Sequence, residues 1–201
     1  MRQVKTLIID LDNTIFDWFK FWFNSFDPIY QAIIKKDIVP EELLQSEIRK
    51  IHQKRRTSEY PFLLDELSFL QEKYSEKNVR DVFSDAIRDS QKGRDDATKL
   101  YSTVFESLWK IKQQGTKIVA YTESLGFYSA YRLKRFGLDG VIDVMFCPED
   151  HALPKGISEK ELRRLPDDFY KLEVTEVQYT PLGELKPNPK LLLDIVDHVG
   201  A

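Results

Sequence analysis

The stretch Val4-Lys5-Thr6-Leu7-Ile8-Ile9, running straight into Asp10-Leu11-Asp12-Asn13-Thr14, decides the fold. A short, nearly continuous apolar run with β-branched residues suits a strand buried on both faces, as in a parallel sheet. Two carboxylates stand two residues apart at its C-terminal end. Strand side chains alternate faces, so Asp10 and Asp12 point the same way wherever strand geometry persists that far. Open α/β sheets bind ligands outside the carboxyl ends of their strands. Like charges held together there repel, and they call for a cation or a shared proton. The competing reading is a strand end whose Asp and Asn side chains merely shape a turn. Asp-x-Asp-x-Thr alone leaves the two level.

The totals narrow the class. A chain of 201 residues can bury a real core in one or two domains. With 42% hydrophobic and 31% charged residues, the balance is that of an ordinary soluble globular protein. A net charge of −3 gives no reason to expect nucleic acid or an anionic membrane as partner. The single cysteine, Cys147, rules out an internal disulfide and a multi-cysteine metal site, and it reads as a small buried apolar residue. The first apolar run is too short, and too soon followed by acids, for a signal peptide. No stretch approaches the roughly 20 apolar residues of a membrane span. A cytoplasmic protein is expected.

Further along, Phe19, Trp22, Phe23 and Phe26 obey the i, i+3, i+4, i+7 rule and predict a helix with a wide apolar face. That face packs under other helices or walls a pocket. Pro40-Glu41-Glu42 opens a second helix, which carries Leu43, Leu44, Ile48 and Ile51. Pro61 opens another with Phe62 to Leu70, and Val79 to Ile87 suggests one more. Gly93 breaks the pattern, with Arg94-Asp95-Asp96 as a linker. The basic run Arg49 to Arg56 reads as a solvated face. Arg55 or Arg56, and the polar loop Thr57-Ser58-Glu59-Tyr60 as the better candidate, could contact an anionic substrate.

The second half alternates. A helix from about Leu100 to Gln113 precedes the strand Lys117-Ile118-Val119-Ala120-Tyr121, which ends in Thr122-Glu123-Ser124. A helix over 126–136 and a strand over 141–146 follow, so right-handed βαβ units and a parallel sheet are expected. Ser158 to Glu161 fits a capping box. Residues 170–179 alternate in part, like a solvent-facing antiparallel strand or hairpin. Leu185-Lys186-Pro187-Asn188-Pro189 then leads stiffly into a final helix, Lys190 to Val199.

Asp10-Leu11-Asp12-Asn13-Thr14, Thr122 and Lys186 in its Lys-Pro-x-Pro setting, each after the right kind of element, resemble the first three motifs of the haloacid dehalogenase-like superfamily. The resemblance covers essentially the whole chain. It implies an α/β fold: a Rossmann-like three-layer parallel-sheet core over 1–15 and 97–201, with a helical cap domain over 16–96. It also implies a phosphatase acting on a small phosphorylated metabolite through an aspartyl-phosphate. Phosphate monoesters hydrolyse so slowly unaided that enzymes accelerate the reaction by up to about 10²¹-fold. A covalent intermediate splits that barrier in two.

By resemblance, Asp10 is the nucleophile and Asp12 the acid and base. Thr122, Glu123 and Lys186 hold the phosphoryl group. Mg²⁺ rests on Asp10 and the backbone carbonyl of Asp12. An acid at position 12 favours phosphate over carbon–halogen chemistry.

Three departures qualify the resemblance. Asn13 stands where glycine is commoner, and Glu123 where Asn is. The stretch from about Glu149 to Gly183 is long and suggests a flap. The superfamily's fourth motif, whose acids complete the Mg²⁺ site, is not found by Ala201. The expectation is therefore a core incomplete at the C-terminus and weak Mg²⁺ binding. A non-catalytic binding or regulatory module with the same fold, and a phosphomutase, remain as alternatives.

Overall fold

Strand β1 (Thr6–Ile9) is followed by a run of helices before the next strand appears. These are α1 (Trp18–Lys35), α2 (Glu41–Arg55), α3 (Leu63–Glu66), α4 (Ser68–Lys73), α5 (Val79–Val82) and α6 (Ser84–Ala97). The chain then alternates: α7 (Val104–Gln113), β2 (Lys117–Tyr121), α8 (Gly126–Arg135), β3 (Val144–Pro148), β4 (Glu176–Thr180) and α9 (Pro189–Val199). The structure is a computed structural model and describes residues 4–150, 165–181 and 183–200. The capping box at 158–161 lies outside the described residues. Two compact units result, one of them Trp18–Thr98 and the other built from the described residues on either side of it.

The flanking unit is the α/β one. Its sheet runs β1-β2-β3-β4, and every neighbouring pair is parallel. Ile118, Val119 and Ala120 of β2 and Met145 and Cys147 of β3 are completely buried, as the apolar runs require. β1 is less covered than its apolar run suggests: it forms one edge of the sheet among the described residues, and Thr6–Ile9 are half-buried. Under the sheet, Val119, Tyr121, Val144 and Phe146 pack against Leu191 and Ile195 of α9.

The segment 170–179 is also corrected. β4 lies parallel to β3, from Val144↔Glu176 to Pro148↔Thr180, and is neither antiparallel nor a hairpin. Partial alternation reported a half-exposed edge correctly and said nothing of direction. The Asp139 carboxylate fixes the entry to β4, accepting from the backbone N–H groups of Glu173 at 2.8 Å, Val174 at 3.1 Å and Thr175 at 2.9 Å.

The helical unit holds a core of Leu44, Ile48 and Ile51 from α2 with Phe62, Leu63, Leu67, Leu70, Val79 and Phe83. Here too the structure departs from the pattern. α1 buries Phe21 and Ile33 while Phe19 and Phe23 stay exposed, so only the Trp22 and Phe26 part of the aromatic stripe is packed, with Phe26 against the His52 ring. The face of α1 turned to α6 carries Asn24 and Ser25, whose carbonyl oxygen accepts from Ser90 Oγ at 2.5 Å. Gly93 and Arg94-Asp95-Asp96 are not a break and linker but lie inside α6. A Cβ on Gly93 would fall 2.6 Å from the Asn24 carbonyl oxygen, so this glycine lets two helix backbones approach.

Candidate active site

Asp10 lies one residue past the end of β1. Its Oδ1 accepts from Lys186 Nζ at 2.5 Å and its Oδ2 from Thr14 Oγ1 at 3.0 Å. Two turn bonds make the bend that returns Thr14 to it: the N–H groups of Thr14 and Ile15 both donate to the Leu11 carbonyl. Asn13 sits inside this bend at φ 57°, a left-handed conformation that Asn tolerates better than most residues, which accounts for its standing in place of glycine.

Lys186 comes from the loop before α9, 176 residues away in sequence. Its ammonium also donates to the Tyr121 carbonyl at 2.7 Å and lies 4.5 Å from the centroid of the Tyr121 ring. The loop is tied from the other side, because the Lys186 N–H donates to the Glu123 carboxylate. The Lys186–Pro187 peptide is cis, and Asn188 caps α9 through the Leu191 N–H at 3.0 Å.

Asp12 has a different set of partners. Strand geometry stops at Ile9, and the two carboxylates are held by separate groups. Asp12 Oδ2 accepts from Ser124 Oγ at 2.6 Å and more weakly from Thr122 Oγ1 at 3.4 Å. Asp12 Oδ1 faces Arg132 Nη1 at 3.3 Å. Thr122 is fully buried, and its hydroxyl accepts the Ser124 N–H at 3.1 Å. The sheet thus brings Asp10, Asp12, Thr122 and Lys186 to the carboxyl ends of β1 and β2. Glu123 is turned onto the Lys186 backbone; an ionised carboxylate is acceptor-only and offers no donor to a phosphoryl oxygen.

Ser124 and Arg132 escaped the sequence reading. Arg132 is 2% exposed, on a face of α8 shared with Ser129 and Leu133. The i, i+3, i+4 spacing of Ser129, Arg132 and Leu133 is the signal that could have found it. An arginine on a buried stripe needs an acidic partner. Leaving such a buried charge unpaired costs about 3–5 kcal/mol.

Arg56, Thr57, Ser58 and Tyr60 belong to the helical unit. Arg56 ends α2 in a left-handed conformation and is exposed. Thr57 Oγ1 accepts from the Glu59 N–H at 3.0 Å, and the Ser58 carbonyl accepts from Trp22 Nε1 at 3.0 Å. Tyr60 is buried, and its hydroxyl donates to Glu66, which also pairs with Arg55. Burial first, then the bond to Glu66, pushes the Tyr60 phenol above its usual range.

Among the described residues no group of three or more His, Cys, Asp or Glu side chains is arranged to hold a metal ion. Asp10 Oδ1 is taken by Lys186, and both Asp12 carboxylate oxygens are engaged by Ser124, Thr122 and Arg132. One partly occupied carboxylate and one backbone carbonyl would hold Mg²⁺ only weakly, with waters and substrate oxygens left to fill the rest of its six-oxygen shell. Asp10 and the Asp12 backbone carbonyl are the described groups that would hold that ion, and they would hold it weakly.

A family model for haloacid dehalogenase-like hydrolases matches residues 7–179. The chain belongs to that family. Hydrolases of the family generally use Mg²⁺, which makes the thin donor set here notable. Among solved structures, one from Thermotoga maritima assigned as a β-phosphoglucomutase is 16% identical, with a TM-score of 0.52 over 98% of this chain and 72% of that one. A predicted phosphoglycolate phosphatase from Haemophilus somnus 129PT is 17% identical, with a TM-score of 0.47 over 100% of this chain and 73% of that one. At 16% identity the likeness to the Thermotoga maritima structure is one of fold. No curated protein matches the chain. Among the described residues no helix is long and apolar enough to cross a membrane.

Proposed function

We propose that this haloacid dehalogenase-like hydrolase is a phosphoric monoester hydrolase that works through an aspartyl-phosphate on Asp10. The observation that carries the reading is the Asp10–Lys186 pair at the carboxyl end of β1, 2.5 Å between Oδ1 and Nζ. In the first step an Asp10 oxygen attacks phosphorus, the ester P–O bond breaks, and Asp12 gives a proton to the departing oxygen. In the second, Asp12 takes a proton from the water that attacks the phosphorus, and Asp10 is released. Lys186 offsets negative charge on the nucleophile and the phosphoryl oxygens, and the Thr122 hydroxyl is a donor at the same strand ends. Glu123 serves by holding the Lys186 loop.

The helical unit, inserted between β1 and α7, is proposed as a cap, with Arg56, Thr57 and Ser58 contacting a small phosphorylated substrate. Tyr60 is committed to Glu66 and supports that loop from beneath. A cytoplasmic location belongs to the same proposal and rests on the lone cysteine, which suits a reducing compartment.

One observation favours a second reading, a binding module that retains the fold: both Asp12 oxygens are engaged by protein donors. A screen of phosphorylated metabolites against the wild type and Asp10→Asn separates the two. The enzyme reading expects phosphate release that vanishes in a variant of unchanged melting temperature. Ligand binding without release, or release that survives Asp10→Asn, would support the module instead.

A further inference from the structure

We propose that Arg132 is the positioning residue for Asp12, a role that rests on the reading of Asp12 as the acid and base. Asp12 stands in the bend after β1, where its backbone alone does not dictate where the carboxylate points. Two groups from the β2–α8 connection and α8 itself settle that. Arg132 Nη1 lies 3.3 Å from Asp12 Oδ1 and 3.1 Å from Ser124 Oγ, and Ser124 Oγ lies 2.6 Å from Asp12 Oδ2. The carboxylate is therefore held at both oxygens, at Oδ1 by Arg132 and at Oδ2 by Ser124, which are bonded to each other, with the Thr122 hydroxyl a weaker third donor at 3.4 Å.

The clamp is itself fixed. Ser124 is held at its N–H by Thr122 Oγ1 at 3.1 Å and at its carbonyl by Ser129 Oγ at 3.1 Å. Arg132 is 2% exposed, with its guanidinium carbon 5.2 Å from the centroid of the Phe16 ring. A planar guanidinium packed this way loses little further freedom by holding a carboxylate. It neither supplies nor accepts a proton under ordinary conditions. It therefore acts through Asp12 and does not replace it in proton transfer. Proton transfer needs the donor within hydrogen-bond reach of the departing oxygen, and a misplacement of about 1 Å costs about 100-fold in rate.

The test compares two esters. 4-Nitrophenyl phosphate has a leaving group that departs with little help, whereas a simple alkyl phosphate depends on the acid. Arg132→Met should lower kcat for the alkyl ester about tenfold more than for the nitrophenyl ester, with KM nearly unchanged for both. Asp12→Asn should show the same pattern more strongly, and Arg132→Lys should recover part of the loss. Ser124→Ala, which strands no buried charge, should reproduce the pattern in milder form if Arg132→Met does not fold.

Equal losses on both esters in the Arg132 and Ser124 variants, while Asp12→Asn discriminates, would overturn the positioning role and leave the reading of Asp12 intact. An Asp12→Asn variant that does not discriminate would overturn that reading and the positioning role with it. Should neither ester be turned over, crystal structures of Arg132→Lys and Ser124→Ala decide. An Asp12 carboxylate unmoved in both overturns the proposal, and one swung away in either supports it.

Discussion

The Asp139 carboxyl shows how one residue ties sequence to stability. Burial pushes it up, but the N–H groups of Glu173, Thr175 and Val174, together with Lys134, outweigh that and bring it down to about 2. Those same N–H groups set the entry to β4, so the charge on Asp139 fastens the sheet's edge strand. A folded-state value below the ordinary 3.8 means the carboxylate stabilises the native form above that pH. The contribution drains away as pH falls from about 4 towards 2 and is on the order of 2 kcal/mol. Urea melts at pH 6 and pH 2.5 should show Asp139→Asn less stable than wild type at the higher pH, with the gap narrowed at the lower. A gap independent of pH would remove the charge from the explanation.

At the scale of elements, the approach of α1 and α6 depends on a missing side chain. Gly93 in the middle of α6 is a poor helix former, and alanine ordinarily gains about 1 kcal/mol at such a place. The Asn24 carbonyl oxygen, 2.6 Å from where the Cβ would stand, belongs to backbone and cannot swing aside. Overpacking of that kind costs about 1–3 kcal/mol, more than the propensity gain. Gly93→Ala should therefore lower the urea midpoint of the protein. A midpoint at or above that of the wild type would mean that α1 yields at little cost.

For the whole molecule, the donors gathered at the carboxyl ends of the sheet bear on how activity responds to metal. Lys186 already balances Asp10, and the described residues supply few oxygens for a hard cation. Turnover by the 201-residue chain should therefore be slow and rise little with Mg²⁺ across the millimolar range. Rates measured after chelation and during Mg²⁺ titration check this. A steep, saturable rise would show that the metal site has been misplaced.

Local pattern carried much of the architecture. Apolar runs and helical spacing placed β1, β2 and α2 at or close to their observed positions. They also placed Asp10, Asp12, Thr122 and Lys186 at strand ends or before a helix, because periodicity and turn chemistry act over a few residues. What the sequence did not reveal depends on neighbours distant in the chain. The parallel course of β4 depends on β3. The place of Gly93 inside a helix depends on Asn24 of another helix, whose backbone lies against it. Arg132 meets Asp12 from 120 residues away. The sequence by itself determined which groups stand at the ends of the strands. Only the tertiary structure decided which of them each carboxylate oxygen meets, since that depends on how α8 and the Lys186 loop pack against the sheet.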